Sequence, residues 1–380
     1  MLDDSLLDAP EGLARADRRG LLRGAAESGA RVRTAARHAA EAGITALQPE
    51  GRPRTVLVAG TGTAATGAAD LISALAGASA PVIRLCPTGV APAAGALRWT
   101  LPGWAGAVDL LLIPTNDGSE PGLATLAEQA YRRGVTVVAV APRRSPIAEA
   151  VGNTHGLVVP MATAPHELYD EPQAAGPGAL WALFTPLLAL LDRVGLFTAP
   201  AGTLETVADR LDRTAERCGP AVATYSNPAK TLAAELSDAL PLIWTEGTAA
   251  APVGRRFAAV LAELAGRPAL AGELPEALAA HSGLLAGDFA GGADPDDFFR
   301  DRVEDPQALH ARVVLLRDRP ADVGGLTAAP AARELALAHD TPFSELEPEE
   351  GSNPLEALAE LLAVTDFAAC YLALASGRRL

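Results

Sequence analysis

The chain has 380 residues, which is long for one hydrophobic core, so two domains are expected. Apolar residues make up 49% of the sequence and aromatic residues only 4%, so the core should consist mainly of Ala, Leu and Val. The formal charge of −15 argues against a nucleic-acid or anionic-membrane partner, because phosphate backbones attract basic surfaces. Any anionic ligand must therefore be held by a local pocket.

The cysteines indicate a reducing compartment. Cys86, Cys218 and Cys370 are far apart, odd in number and without metal-ligand spacing, so we expect buried thiols and no metal site. The acidic N-terminus lacks the basic and apolar regions of a signal peptide. The most apolar run, residues 179–191, contains Pro186 and is too short to span a bilayer. The sequence therefore predicts a soluble, cytoplasmic protein.

The first half of the chain alternates short apolar strands with helices after a helical arm. The arm is predicted over residues 1–50, because Leu13, Leu21 and Val32 recur on one helical face. Strands are then predicted at residues 56–59, 82–85, 109–113, 135–140 and 157–159, and helices at 64–76, 123–133, 146–151 and 180–194. Such alternation predicts a parallel sheet covered on both faces, in a first domain over residues 51–200, with ligands beyond the carboxyl ends of the strands.

The turn after the first strand is rich in glycine. In TVLVAGTGTAATGAADL, residues 55–71, Gly60 and Gly62 can take backbone angles that a side chain would forbid, and a helix starts at about Ala64. The start of that helix favours a bound anion. A dinucleotide site would need G-x-G-x-x-G, whereas Ala65 stands at the third glycine position. Nucleotide-dependent chemistry therefore has no supporting motif beyond the glycine turn.

The second half, residues 201–380, is predicted to repeat the cycle as a second domain. The pattern predicts helices at residues 204–217, 229–240, 255–264, 331–339 and 355–375, and strands at 241–245, 313–316 and 343–346. The acidic stretch 288–305 is predicted to be a surface loop. The predicted fold class is therefore α/β, with two successive units of similar size.

The order of several motifs resembles a known family. They are GTGTAATGAADL from Gly60, LLIPTNDGSEPGLATLAEQA from Leu111, NPAKTLAAEL from Asn227, RRFAAVLAELAGRPA from Arg255, LPE from Leu274 and TDFAACYLALASG from Thr365. Over roughly residues 55–377 they resemble the bifunctional phosphoglucose/phosphomannose isomerase family, which is built from two sugar-isomerase (SIS) domains. The resemblance implies two SIS-like domains, a homodimer, no cofactor, and a sugar phosphate or related carbohydrate as the ligand.

The resemblance also implies a chemistry and a catalytic base. The family moves a proton between C1 and C2 of an opened hexose 6-phosphate through a cis-enediol, using a carboxylate base and a cation. Glu263 matches the family's base, and Arg256 and Phe257 match the opening of the same motif, so Arg256 is a candidate substrate contact. Without the resemblance, Glu263 is interpreted as a solvated helix glutamate at i−4 from Arg267. Both interpretations stay open at this point.

The first phosphate-binding loop departs from the family. Gly62, Thr63 and Ala64 stand where the family has Gly-Gly-Ser, so the phosphate-binding hydroxyl is moved or lost. Thr63 and Thr66 are the candidates to replace it.

The second loop departs further. The sequence TNDGSEPG, from Thr115, stands where the family has Ser-x-Ser-Gly-Asn-Thr-Glu-Glu, with Asp117 in place of a phosphate-gripping serine. Ser119 is predicted to cap the next helix, since Pro121 then falls in the first turn. We expect Asp117 to face the ligand and to repel a phosphate by about 1 kcal/mol in water and about 4 kcal/mol at an effective dielectric near 20. The alternative is that Asp117 turns back and caps its own loop amides.

Two more departures concern charge and ring opening. Gln173 stands where the family uses an arginine against the enediolate, and a neutral amide brings no charge. The ring-opening histidine falls on Ala279, so His281 is the candidate that reaches in from a shifted turn, although a single histidine on an alanine-rich stretch is commonly structural. Lys230, the only lysine, matches the family but is expected to be solvated at its helix start.

Two classes of function follow from this comparison. The first is a sugar-phosphate-binding protein with aldose–ketose isomerase activity if it is catalytic. The second is a catalytically silent paralogue that acts as a regulatory or partner-binding protein in mannose metabolism. For the first we expect residues 60–66, residues 117–120 and Glu263 to line one site.

Overall fold

The computed structural model describes residues 3–89, 97–163, 176–287, 289, 309–318 and 327–376, within two compact units. The first-sheet unit comprises Glu27–Asp212, and the second-sheet unit comprises Met1–Ala26 together with Arg213–Leu380. Each unit contains one parallel sheet. The predicted fold class, two α/β units with helices flanking parallel sheets, is confirmed. The predicted domain boundaries near residues 50 and 200 stay predictions.

The elements are numbered here in chain order over the described residues. The strands are β1 (Val56–Val58), β2 (Val82–Arg84), β3 (Leu110–Pro114), β4 (Thr136–Ala141), β5 (Leu157–Pro160), β6 (Ala239–Glu246), β7 (Leu270–Glu273), β8 (His310–Arg317) and β9 (Phe343–Leu346). The helices are α1 (Asp4–Leu7), α2 (Pro10–Ala16), α3 (Leu21–Ala26), α4 (Ser28–Glu41), α5 (Gly62–Ala76), α6 (Pro121–Arg132), α7 (Pro146–Asn153), α8 (Pro177–Arg193), α9 (Ala201–Arg217), α10 (Pro228–Glu235), α11 (Ala250–Val260), α12 (Glu276–Ala280), α13 (Ser282–Ala286), α14 (Ala329–Ala338) and α15 (Pro354–Ala375). One π-helical turn, Leu261–Ala265, continues α11.

The first sheet has the strand order β2-β1-β3-β4-β5, with every neighbouring pair parallel. β1 and β3 are buried over their whole length, as predicted for strands covered on both faces. Alternate residues such as Leu57, Leu111 and Val137 pack with α6 and α7 in one core, and α8 contacts β3 and β4. Because all five strands run in one direction, the loops after β1, β3 and β4 leave the sheet at the same edge.

The second sheet has the parallel strand order β7-β6-β8-β9. Trp244 of β6 is completely buried in its core, together with Val313 and Leu315 of β8. Helices α10 and α11 both pack against α15. Helix α15 is long and apolar enough to cross a membrane, but its apolar window is entirely buried within the protein. It is therefore accounted for as the core helix of this unit.

Several helices begin at a residue whose side chain caps the first turn. Ser145 Oγ accepts the Ala148 N–H at 3.3 Å, and Asn227 Oδ1 accepts the Lys230 N–H at 3.1 Å. In each case a proline occupies the first helical position, where its missing N–H costs nothing. Such caps each stabilise a helix by about 1 kcal/mol.

The sequence pattern misplaced a few elements. The helix predicted over residues 229–240 ends at Glu235, because the apolar run that follows begins β6 at Ala239. Strand β7, with the sequence LAGE, was not predicted, since it is short, only partly apolar and half exposed. The predicted acidic loop at residues 288–305 lies outside the described residues, apart from Phe289.

The cysteine prediction is correct for two thiols and wrong for one. Cys218 and Cys370 are buried, and burial raises the pKa of the Cys218 thiol to about 11. Cys86 is exposed, because it follows the edge strand β2, whose residues are only partly covered. Two of the three thiols are therefore kept protonated and inert by their surroundings.

Candidate functional site

The loops after β1 and β3 lie side by side at the carboxyl edge of the first sheet. The Ala59 N–H donates to the Leu112 carbonyl at 2.9 Å, which holds the ends of the two strands together. A Cβ atom on Gly60 would lie only 2.5 Å from the Pro114 carbonyl oxygen, so only glycine permits this approach. The structure therefore brings the two predicted ligand-binding loops together within the first-sheet unit.

The first loop leads directly into helix α5. Gly62 begins the helix with φ at +83°, a left-handed angle that favours glycine. Thr61 precedes it as the N-cap but makes no side-chain capping hydrogen bond. Thr63 and Thr66 lie in the first turns of α5 and are half-buried. Their proposed replacement of the family's serine stays a prediction.

The second loop folds its carboxylate back onto its own donors. The Thr115 hydroxyl donates to Asp117 Oδ1 at 3.3 Å, and the Ser119 N–H donates to the same oxygen at 3.2 Å. The Ser119 hydroxyl donates to Asp117 Oδ2 at 2.7 Å. The Gly118 N–H donates to Thr115 Oγ1 at 3.0 Å. The hydroxyls of Thr115 and Ser119 and the amides of residues 118 and 119 are thus all bonded within the loop.

This geometry corrects two expectations. Asp117 was expected to point toward the ligand, yet it takes the alternative orientation and caps its own loop, because three donors lie within its reach. Ser119 was expected to cap α6, but Glu120 does so, accepting the Gly122 N–H at 3.1 Å. The Ser119 hydroxyl is instead engaged with Asp117. The loop therefore carries two carboxylates that accept its own donors.

Gly118 ties the second loop to the loop that precedes α7. Its φ of +64° is left-handed, and an added Cβ would lie 2.4 Å from Ser145 Cβ. Its carbonyl also accepts the Ile147 N–H at 3.1 Å. Asn116 Oδ1, two residues before Gly118, is buried, and it has no hydrogen-bond partner within the described part of the chain. The contacts of Gly118 therefore hold the second loop against the turn before α7.

Glu263 lies in the π-helical turn that follows α11. The turn covers Leu261–Ala265 and ends at Gly266, whose φ of +58° is left-handed. Leu261 and Leu264 are buried on α15, whereas Glu263 is exposed. Single π-helical turns occur frequently at functional sites, because they redirect side chains from the regular helical face. The geometry leaves open both the catalytic and the solvated interpretation of Glu263.

Arg256, one helical turn before the π-turn, is not on a surface. Its guanidinium is bonded to the Asp366 carboxylate of α15, and the two side chains are 2% and 3% exposed. Burial raises the pKa of Asp366, although the bond to Arg256 opposes this. Arg256 thus has a structural partner inside the second-sheet unit, and its proposed contact with substrate stays a prediction.

His281 lies beside the central strand of the second sheet. Trp244 Nε1 donates to His281 Nδ1 at 2.9 Å. Because an indole nitrogen only donates, His281 must be neutral with its proton on Nε2. Burial also lowers the pKa of His281. A neutral imidazole held in this way is well placed as a structural group, and the sequence signal that pointed to it, a histidine near the family's position, does not reveal the tryptophan.

We predict that His281 makes stability fall on mild acidification. Its folded pKa lies below the ordinary 6.5, so as pH falls below 6.5 the unfolded chain takes up a proton that the folded chain refuses. Urea unfolding should therefore show lower stability at pH 5.3 than at pH 7, and His281→Asn should flatten this dependence. His155→Asn, which replaces an exposed histidine, is the control and should leave the dependence intact. An unchanged pH dependence in His281→Asn would contradict the assignment.

Glu263 and His281 lie toward opposite edges of the second sheet. Helix α11 starts after the carboxyl end of β6 and returns to the start of β7, so the turn with Glu263 lies near the amino edge. His281 lies beside Trp244 and Gly272, in the carboxyl halves of β6 and β7. The expectation that Glu263 shares a site with residues 60–66 and 117–120 stays a prediction.

Lys230 differs from its expected solvated state. It is fully buried, and its Nζ donates to the carbonyls of Pro220 and Val222 at 2.8 and 2.7 Å. The ammonium also lies 5.5 Å from the centre of the Tyr371 ring. Burial lowers the pKa of Lys230. The chain's only lysine is therefore a structural cation that closes the turn before α10.

Two expectations cannot be placed on this geometry. Gln173 lies outside the described residues. Within the described part of the chain, no group of three or more His, Cys, Asp or Glu side chains is arranged to hold a metal ion.

The comparisons with known proteins agree with this architecture. A family described as "Bacterial phospho-glucose isomerase C-terminal SIS domain" matches residues 225–378. No curated protein matches the chain.

Solved structures with a similar fold cover almost the whole chain. A protein from Silicibacter pomeroyi DSS-3 described as a phosphosugar isomerase is 16% identical, with 94% of this chain and 97% of that chain covered and a TM-score of 0.58. One from Clostridium difficile 630 with the same description is 11% identical, with 94% and 93% covered and a TM-score of 0.62. Tagatose-6-phosphate ketose/aldose isomerase from Escherichia coli is 14% identical, with 95% and 92% covered and a TM-score of 0.54.

At these identities the solved structures establish the fold alone, and the family model matches residues 225–378 in the second half of the chain. The resemblance inferred from the motifs is thereby confirmed. In these residues the chain therefore resembles the C-terminal SIS domain of bacterial phospho-glucose isomerases, and as a whole it has the fold of solved structures described as phosphosugar isomerases.

Proposed function

We propose that this protein binds a sugar phosphate or a related carbohydrate derivative, and that any catalysis is aldose–ketose isomerisation of the glucose 6-phosphate or mannose 6-phosphate type. The observation that carries the proposal is the exposed carboxylate of Glu263 on a π-helical turn, within the residues that match the phospho-glucose isomerase family. A carboxylate in reach of water and substrate is the group that proton transfer next to a carbonyl requires.

The chemistry assigns one role to each candidate. Glu263 would remove the proton from C2 and return it to C1, while the hydroxyl proton of O2 passes to O1, so that an aldose becomes a ketose through the cis-enediol. The hydroxyls of Thr63 and Thr66 would orient the ligand at the start of α5, where the helix dipole favours negative charge. Asn116 Oδ1, which is buried and has no partner among the residues that the structure describes, would accept a hydrogen bond from a sugar hydroxyl. No cofactor takes part in these steps.

A second function is favoured by three other observations. Asp117 is bonded within its loop, Arg256 within an ion pair and His281 to Trp244, so three candidate groups are already satisfied inside the protein. A protein that had lost catalysis would keep the fold and use its polar side chains in this manner. The alternative is therefore a silent paralogue that acts as a regulatory or partner-binding protein in mannose metabolism.

Assaying the purified protein distinguishes the two functions. Fructose 6-phosphate formation from glucose 6-phosphate and from mannose 6-phosphate is measured with a coupled dehydrogenase, and binding of each sugar is measured by calorimetry. Turnover supports the isomerase. Binding without turnover supports the silent paralogue, and the absence of both contradicts the proposal.

We further propose that the protein is a cytoplasmic homodimer. Light scattering checks the oligomeric state, and a monomer would contradict the dimer.

We predict that Asp117→Ser tightens the binding of hexose 6-phosphates at least tenfold. The change frees the Ser119 hydroxyl and amide, which both donate to Asp117 in the wild type, and it removes one negative charge from the loop. The start of α6 favours a bound phosphate by only about 0.3–2 kcal/mol, so the two released donors should add clearly to the binding free energy. Calorimetry with glucose 6-phosphate and mannose 6-phosphate measures the difference.

Asp117→Asn is the matched control for charge. It retains an oxygen that accepts the Ser119 N–H, so it separates loss of repulsion from release of donors. An intermediate gain is expected for this variant. Equal and tight binding by the wild type and Asp117→Ser would show that Asp117 does not oppose the phosphate.

A further inference from the structure

A cavity of about 600 Å³ lies at the amino-terminal edge of the first sheet, at the opposite end of the strands from the two loops described above. Its floor is formed by the beginnings of β3, β4 and β5, with Leu110 and Val138 buried there. Leu190 and Val194, at the end of α8, form one wall. The volume falls within the range of about 300–1,000 Å³ that is typical of small-molecule sites.

The opposite wall is the segment of residues 47–53 that leads into β1. This segment is tied to α8, because Arg193 Nε donates to the Leu47 carbonyl at 2.5 Å. The wall is therefore fixed by a contact that does not depend on a ligand. The cavity is a built feature of the first-sheet unit, and most of its lining is apolar.

The charged residues that line the cavity differ in whether another side chain pairs with them. Asp109 lines it, but this carboxylate is fully covered and accepts two hydrogen bonds from Arg54, at 2.6 and 3.0 Å. Glu50 and Arg52 also line it, both exposed, and within the described part of the chain neither makes a hydrogen bond or an ion pair. Arg52 Nε lies 3.3 Å from the position of a Cβ on Gly195, which places its head group beside the end of α8.

One negative and one positive group therefore remain available at the rim of an apolar cavity. A simple anion would be repelled by Glu50 and by the formal charge of −15 of the whole chain. A simple cation would be repelled by Arg52. A molecule with an ammonium and a carboxylate satisfies both residues, carries no net charge, and places its apolar part against Leu110, Val138 and Leu190.

We propose that this cavity binds a small zwitterion with an apolar body, of which an apolar α-amino acid is the simplest case. Arg52 takes the carboxylate and Glu50 the ammonium. The site is separate from the carbohydrate site of the proposed function. It would make the stability of the first-sheet unit depend on the ligand, because a ligand that binds only the folded state shifts the unfolding equilibrium.

Calorimetry and thermal unfolding with L-phenylalanine test the proposal. N-acetyl-L-phenylalanine, which lacks the ammonium, and 2-phenylethylamine, which lacks the carboxylate, are the comparison ligands. We expect L-phenylalanine to bind and to raise the melting temperature, and each comparison ligand to bind at least tenfold more weakly. Arg52→Gln and Glu50→Gln should each weaken L-phenylalanine binding at least tenfold, since each removes one charged partner.

Two further variants keep the test interpretable. Val108→Trp introduces a bulky side chain at a lining residue that is 58% exposed, so the fold should tolerate it while the cavity is filled and binding lost. Arg143→Gln removes an exposed arginine of the same unit that does not line the cavity, and should bind like the wild type. No binding of L-phenylalanine at 10 mM, or binding that Val108→Trp and Arg52→Gln leave unchanged, would overturn the proposal.

Discussion

Replacing Glu263 with glutamine is expected to lower kcat for any aldose–ketose isomerisation by roughly 100- to 10,000-fold, the usual contribution of a positioned general base. Glutamine has nearly the same shape as glutamate but cannot accept the proton from carbon. The loss should therefore appear in kcat, with little change in KM, because the group acts on the transition state rather than on binding. The assay is the conversion of glucose 6-phosphate and of mannose 6-phosphate to fructose 6-phosphate.

Glu149→Gln is the matched control for this variant. Glu149 is an exposed glutamate of α7 in the first-sheet unit, so its replacement should leave the activity unchanged. Both variants should unfold at the wild-type temperature, since both side chains are exposed. If Glu263→Gln kept full activity while His281→Ala abolished it, Glu263 would not be the base.

The sequence predicted the scaffold well because its signals are local. The apolar runs of β1, β3 and β4 each span a few residues, so they can be recognised without knowing which elements they pack against. The positions of the two loops at one edge then follow from the parallel order of the strands. That order also brings Gly60 close to the Pro114 carbonyl. The approach is possible because residue 60 is a glycine.

The direction of Asp117 could not be derived from its position. A carboxylate in a loop can face a ligand or accept its own loop's donors, and the outcome depends on the two hydroxyls at residues 115 and 119 being within reach. The sequence indicated that a ligand-facing carboxylate would repel a phosphate, but it did not reveal the three hydrogen bonds that Asp117 accepts within its loop. Each hydrogen bond to a charged group contributes about 1.5–3 kcal/mol, which is enough to decide the orientation.

The environments of His281 and Lys230 escaped the sequence for a different reason. Trp244, which bonds to the histidine, and Tyr371, which packs on the lysine, lie far along the chain from them, while the lysine also bonds to two carbonyls of the nearby turn at residues 220–222. No spacing rule connects these positions.

Breaking the buried ion pair of the second-sheet unit is expected to give the largest loss of stability. Arg256→Met removes the partner of Asp366, whose side chain is only 3% exposed, and so leaves a carboxylate buried in the core between α11 and α15. Removing one member of such a pair typically costs about 3–5 kcal/mol. Urea unfolding followed by circular dichroism measures the change, with the free energy extrapolated to water.

Two further variants separate the charge from the packing. Arg256→Met combined with Asp366→Leu removes both charges, and it should recover most of the loss, because an apolar pair in the same volume needs no counter-charge. Arg255→Met is the control one residue away: Arg255 pairs with Glu273 at 2.8 Å on the surface, where the side chains are 46% and 59% exposed. Exposed pairs contribute less than about 1 kcal/mol, so this variant should be nearly as stable as the wild type.

The pH dependence of Arg256→Met identifies the buried carboxylate as the cause. Burial already raises the pKa of Asp366 in the native protein, and loss of Arg256 removes the interaction that opposes this. A folded pKa above the unfolded value of 3.8 means that the folded state binds the extra proton, so stability decreases as pH rises from that value. The deficit of Arg256→Met should therefore shrink on acidification toward pH 5. A deficit that is the same at pH 5 and pH 8, or a double variant no more stable than the single one, would show that Arg256 acts through packing rather than through its charge.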